Sequence, residues 1–186
     1  MAALLASFVA AFLCAWGDRT QLLAATLAAG SKKPGQVLAG LIMAALASNV
    51  VAAFAGAWIA DTINLRAMTL LTALALLFAG ISGFIPRKPK QEAADRFPVL
   101  ATFILCLAAE IGDRIQFLTF AFAGRFDSAP LAAAGGAAGL IAGCVPAVLL
   151  GERLGAIVPV RAIRWSVAGL MLVVGFIVAV KALQLA

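Results

Sequence analysis

Two short stretches of the 186-residue sequence hold most of the side chains able to do chemistry. Trp16-Gly-Asp-Arg-Thr-Gln-Leu-Leu23 and Ile111-Gly-Asp-Arg-Ile-Gln-Phe-Leu118 are identical at Gly, Asp, Arg, Gln and the final Leu, at an offset of 95, and Glu110 directly precedes the second. On a continuous helix Glu110, Asp113 and Gln116 follow one another at i,i+3 spacing, so two carboxylates and an amide oxygen leave one face; Asp18 and Gln21 repeat this in the first stretch. Together with the Thr20 hydroxyl these are hard oxygen ligands, suited to Ca²⁺, Mn²⁺ or Mg²⁺. The sequence has no histidine, and Cys14, Cys106 and Cys144 neither pair symmetrically with the motif nor show C-x-x-C spacing. A Zn²⁺ or Cu⁺ site is therefore disfavoured, and the thiols read as buried packing residues.

The elements that must position these groups are membrane helices. The chain is 65% hydrophobic and 12% charged, against about half apolar and a quarter charged in soluble domains. Its apolar residues fall into six blocks near the length that crosses hydrocarbon: Ala2–Ala29, Val37–Ile59, Ala67–Ile85, Phe97–Ala123, Leu131–Leu150 and Ser166–Leu185. The first block lacks a basic leader and exceeds a signal-peptide core, so it is read as a span. The expected fold class is an all-α membrane protein with no soluble catalytic domain. The net charge of +6 sits in short gaps between apolar blocks and forms no continuous basic face, which excludes nucleic acid as a partner.

The longest polar stretch, residues 87–96, divides the sequence into a three-helix repeat at 1–86 and a second at 97–186. Nine Lys and Arg residues follow spans one, three and five (Lys32, Lys33, Arg87, Lys88, Lys90, Arg96, Arg153, Arg161, Arg164), against Arg66, Arg125 and Lys181 on the other side. The positive-inside rule places the nine in the cytoplasm, with the 87–96 loop, and both termini outside. Three spans per half then make the halves inverted repeats. Gly40-Leu-Ile42 also matches Gly139-Leu-Ile141, at an offset of 99, which sets a small-residue ridge of Gly40, Ala44, Ser48, Ala52 and Gly56 beside one of Gly139, Gly143, Ala147, Gly151 and Gly155. Such ridges suit close packing in lipid, within one chain or between two copies in a homodimer.

Asp18, Arg19, Glu110, Asp113 and Arg114 fall near the centres of spans one and four. Left unpaired, five central charges would cost roughly 12–18 kcal/mol on the insertion scale, which calls for pairing or function. A structural network would join Glu110 to Arg114 at i,i+4 and Asp18 to Arg114 across the repeats. The functional reading gathers Asp18, Glu110 and Asp113 as cation ligands and proton carriers, with Arg19 and Arg114 as counter-charges. Gly17 and Gly112 precede the aspartates and mark either local unwinding or close helix contact. Ser48 and Asn49, the strongest polar pair of span two, are candidate cavity-lining residues. Asp61 and Asp127 fall in outer connections and read as capping or solvated residues.

At these positions the sequence resembles the Gdt-type divalent-cation/proton antiporter family, once called uncharacterised protein family 0016, whose signature is two copies of E-x-G-D-[KR]-[ST] and which includes bacterial manganese exporters. The resemblance runs along the whole chain. It departs from the signature at Ala15, where the family has Glu, and at Ile115, where it has Ser or Thr. The carry-over is Asp18, Thr20, Glu110 and Asp113 as ligands or proton carriers, with Gln21 and Gln116 beside them. It implies a multi-pass protein of the bacterial inner membrane that exports Mn²⁺ in exchange for protons, with the cation as substrate and no resident cofactor. The same ligands admit Ca²⁺. An exporter of small organic solutes would use the two arginines to hold a carboxylate, and the doubled acids argue against it. An intramembrane hydrolase lacks a nucleophile with its base.

Overall fold

The computed structural model describes residues 1–86 and 98–183. Within them every regular element is helical: α1 Ala2–Ala15, α2 Arg19–Ser31, α3 Pro34–Ala60, α4 Leu65–Phe84, α5 Pro98–Glu110, α6 Arg114–Arg125, α7 Ala129–Leu150, a one-turn α8 Leu154–Ile157, and α9 Val160–Leu183. The charged segment 87–96 and Phe97 lie outside the described residues. Local chemistry sets several boundaries. Pro34 and Pro130 occupy first turns, where a missing N–H costs nothing. Asn64 caps α4, its side chain accepting the Ala67 N–H at 2.8 Å. At the same end of the packed α4–α9 pair, Arg66 donates to the Ala182 and Leu183 carbonyls that α9 leaves open.

The expectation of six continuous helices needs correction. α3, α4, α7 and α9 are each long and apolar enough to cross a membrane. The first predicted span is two helices, α1 and α2, bent by 60° at a short break. The fourth is likewise divided, into α5 and α6, and α5 with 13 residues is too short to cross alone. The outer surface is apolar, with Leu5, Val51, Phe54, Trp58, Ile81, Ile104 and Phe176 exposed, as a hydrocarbon solvent requires.

Corresponding elements of the two halves stand 95 residues apart: α1 and α5 end at Ala15 and Glu110, α2 and α6 begin at Arg19 and Arg114, α3 and α7 at Pro34 and Ala129, α4 and α9 at Leu65 and Val160. The backbone contacts keep the same spacing. Gly40 lies against the Val99 carbonyl and Gly135 against that of Leu4; Gly56 meets the Phe120 carbonyl and Gly151 approaches that of Ala25; Gly80 packs on Leu172 and Gly175 on Leu77. The ridge of α7 is therefore Gly135, Gly139, Gly143, Ala147 and Gly151, one helical turn from the ridge that the Gly-Leu-Ile match pointed to, and Gly155 touches nothing within 4 Å. An Ala- and Gly-rich helix with a small residue at every fourth position looks alike after a shift of one turn, so only the partner helix fixes the register.

These contacts also give directions. α3 runs alongside α5 and α6 in parallel, and α7 alongside α1 and α2. α4 and α9 are antiparallel, since Gly83 lies against Ala168 while Gly175 lies against Leu76 and Leu77. Each half thus packs mainly on the other.

Candidate functional site

The site is built from the two helix breaks. α1 ends at Ala15, the chain turns extended at Trp16, Gly17 takes φ +70°, and Asp18 becomes the extended N-cap of α2. α5 ends at Glu110, Gly112 takes φ +72°, and Asp113 is the extended N-cap of α6. A positive φ is where glycine loses least, which settles the roles of Gly17 and Gly112 in favour of unwinding. The breaks expose backbone groups that water cannot satisfy inside a membrane. The two glutamines satisfy one each: Gln21 Oε1 accepts the Gly17 N–H at 2.7 Å, and Gln116 Oε1 accepts the Gly112 N–H at 2.8 Å. Gln21 Nε2 also donates to the Gly143 carbonyl of α7 at 2.7 Å.

The break removes the single helix face expected to carry Glu110, Asp113 and Gln116 together. The crossing of the two breaks instead links Asp18 to Arg114 and Glu110 to Thr20. Asp18, Glu110 and Arg114 are buried, with 0%, 0% and 2% exposure. Arg114 Nη2 forms an ion pair with Asp18 Oδ1 at 3.2 Å and donates to the Cys14 carbonyl, at the open C-terminal end of α1, at 2.5 Å. The Thr20 hydroxyl donates to Glu110 Oε1 at 2.5 Å. Asp113 Oδ2 accepts the Ile115 N–H at 3.3 Å, capping α6.

The predicted pair across the repeats, Arg114 with Asp18, is formed, whereas Glu110 Oε1 is held by the Thr20 hydroxyl of the other half. Arg19 is exposed, so of the two arginines only Arg114 is a buried counter-charge. Among the described residues no three acidic or thiol side chains stand close enough together to hold a metal ion. In this arrangement the Arg114 guanidinium lies between a carboxylate and a helix-end carbonyl. That position is electrostatically apt, since a helix C-terminus carries partial negative charge.

Ser48 and Asn49 are both buried but separate in role. Asn49 is held by α6: its Oδ1 accepts the Thr119 hydroxyl at 2.7 Å and its Nδ2 donates to the Ala45 carbonyl at 2.8 Å. Gly136 permits this, because a side chain there would collide with both polar atoms. Thr119 went unnoticed in the sequence, where the only signal was one hydroxyl in an apolar run. The Ser48 hydroxyl has no hydrogen-bond partner among the described residues. The three cysteines are free and buried.

The model of one protein family, Divalent cation/proton antiporter GDT1, matches residues 3–91 and again residues 98–186. The chain belongs to this family. The two matches repeat the 95-residue spacing of the helix breaks. A similar protein, named "Putative manganese exporter", comes from Vibrio cholerae serotype O1; it is 33% identical over 177 residues, covering 92% of this chain and 88% of the relative. No solved structure matches the chain. Family membership and the four long apolar helices make this a multi-pass membrane protein that transports cations, not an enzyme.

Proposed function

We propose that the protein exports Mn²⁺ from the cytoplasm in exchange for protons, at a midplane site formed by Asp18, Thr20, Glu110 and Asp113 and framed by Gln21 and Gln116. The observation that carries this reading is the contact between the two breaks, in which a cationic side chain from one lies between the carboxylate and the helix-end carbonyl of the other. Discontinuous helices whose ends point at a central ion are the transporter solution to binding charge in lipid.

The antiparallel packing of α4 on α9 and the crossing of the two breaks support an arrangement of inverted repeats, 1–86 and 97–186, joined by a cytoplasmic loop at 87–96. On this reading the α5–α6 pair completes a sixth, broken span, and both termini face outward across the bacterial inner membrane. The ridge of α3 is used against α5 and α6 and that of α7 against α1 and α2, so a homodimer would form through other surfaces.

Exchange follows from competition. Metal ligands must be deprotonated, so protons and the cation occupy the same oxygens in turn, and acidification weakens cation binding. When the cation leaves, Arg114 takes its place beside Asp18, and the acids carry protons back. The choice of Mn²⁺ over Ca²⁺ is supported by the name of the Vibrio relative; competition between the two ions for flux separates them.

The test is Mn²⁺-dependent proton flux in proteoliposomes containing wild-type protein, Asp18→Asn or Asp113→Asn. The expected result is loss of at least nine-tenths of the exchange in both variants. Undiminished exchange in either would remove that residue from the site.

A further inference from the structure

The two breaks are equivalent in backbone but not in chemistry, and the difference lies on one side. At the 95-residue spacing Glu110 corresponds to Ala15 and Thr20 to Ile115. The Thr20–Glu110 hydrogen bond therefore has as its mirror an apolar pair, Ile115 and Ala15, both with 0% exposure. The flanking helices follow the same division. Gly143, the counterpart of Ser48, approaches so closely that a Cβ on it would lie 2.5 Å from the Ala15 Cβ. There the backbone of α7 has closed the space that a carboxylate at position 15 would need.

On the other side, Glu110 Oε2 and the Ser48 hydroxyl are buried with no hydrogen-bond partner among the described residues. A buried helix hydroxyl can avoid that cost by bonding back to its own helix, as Thr72 does to the Met68 carbonyl and Ser82 to that of Ala79. The Ser7 and Thr102 hydroxyls share with Ser48 the lack of a partner among the described residues, so it is the carboxylate oxygen that marks this side. An unpartnered carboxylate oxygen is costly to keep. It is an oxygen held for a ligand. The two aspartates divide in the same way: Asp113 caps α6 through the Ile115 N–H, while Asp18 faces the interchangeable cation, Arg114.

We infer that the chain binds one divalent cation rather than two, in an off-axis pocket made by Asp18, Thr20 and Glu110, and that the mirror pocket beside Asp113 is closed by Ala15, Ile115 and Gly143. This rests on the antiport reading above and narrows it, leaving Asp113 to serve exchange as a proton carrier rather than as a ligand. Two complete half-sites would hold two ions or one ion on the axis; this chain has kept the carboxylate of one half and the hydroxyl of the other, and joined them.

The experiment counts Mn²⁺ on the purified full-length chain in detergent, by metal analysis and by electron paramagnetic resonance. The wild-type chain is expected to bind one Mn²⁺ without spin–spin broadening. Glu110→Ala and Thr20→Ile should weaken binding at least tenfold, and Ile115→Val should leave it within twofold. The double variant A15E/I115T should still bind one, because α7 at Gly143 leaves no room for the added carboxylate. Two ions on the wild-type chain, or unchanged affinity in Glu110→Ala, would overturn the inference. So would a monodisperse A15E/I115T that binds two, with broadening from the pair. If that variant does not fold, the wild-type count and the other three variants decide. A wild-type chain that binds neither Mn²⁺ nor Ca²⁺ would overturn the antiport reading itself, whereas two bound ions would leave that reading standing and remove only this one.

Discussion

Arg114 and Arg19 occupy equivalent positions in the two motifs, yet one is buried against Asp18 and the other is exposed. Removing one partner of a buried ion pair leaves an uncompensated charge, at a cost of about 3–5 kcal/mol. Arg114→Ala should therefore lower the thermal midpoint of the detergent-solubilised protein markedly, while Arg19→Ala should change stability by no more than about 0.5 kcal/mol. Equal losses in both would show that the burial difference carries no energy. The motif residues themselves were legible from their spacing and their cost in lipid. Which arginine is inside was not, because the two Gly-Asp-Arg triplets are the same and only the surrounding helices distinguish them. The glutamines were legible as site residues, but their hydrogen bonds to the glycine N–H groups depend on a break that a helical face could not reveal.

The broken helices are the elements on which the site depends, and their glycines differ in what surrounds them. Gly17 has φ +70°, and a Cβ on it would lie 2.9 Å from Val160 Cγ1; Gly112 has φ +72° with nothing within 4 Å. Left-handed backbone costs a side chain about 1–2 kcal/mol. Gly112→Ala should lose about that amount, and Gly17→Ala more, because α9 must also yield. Thermal unfolding of the two variants checks the order, and a greater loss in Gly112→Ala would contradict it. The sequence located both breaks through Gly-Asp, although a glycine in a membrane helix serves close contact equally well. Gly40 and Gly56 show that second use, each lying against a backbone carbonyl. The register of α7 failed by one turn for a related reason: its ridge is nearly invariant to a four-residue shift.

Across the whole molecule, the two sides of the α4–α9 pair are packed unequally. α4 lies on α6, with the Phe78 and Phe117 rings 5.4 Å apart, Thr72 Oγ1 3.5 Å from the Ala121 carbonyl, and Met68 against Gly124. The counterpart pair, α9 and α2, makes little contact. Between them opens a pocket of about 390 Å³ lined by Gly17, Leu22, Val160, Arg161, Arg164 and Trp165. Under inverted-repeat exchange this asymmetry should reverse, bringing Val167 onto Thr26 as Thr72 now meets Ala121. In a background without the three native cysteines, T72C/A121C should cross-link readily and block Mn²⁺/H⁺ exchange until reduced. T26C/V167C should cross-link only as the protein cycles. Full exchange with either bridge intact would exclude this motion.

The apolar blocks and the 95-residue repeat were readable from composition and motif. The unequal packing was not, because it is set by contacts between helices distant in the sequence.

The most direct measurement of the central claim is anomalous diffraction at the manganese edge from crystals soaked in Mn²⁺. The expected result is one peak within coordinating distance of the Asp18 and Glu110 carboxylates, with Arg114 displaced from Asp18. A peak elsewhere, or Arg114 still paired to Asp18 with Mn²⁺ bound, would contradict it.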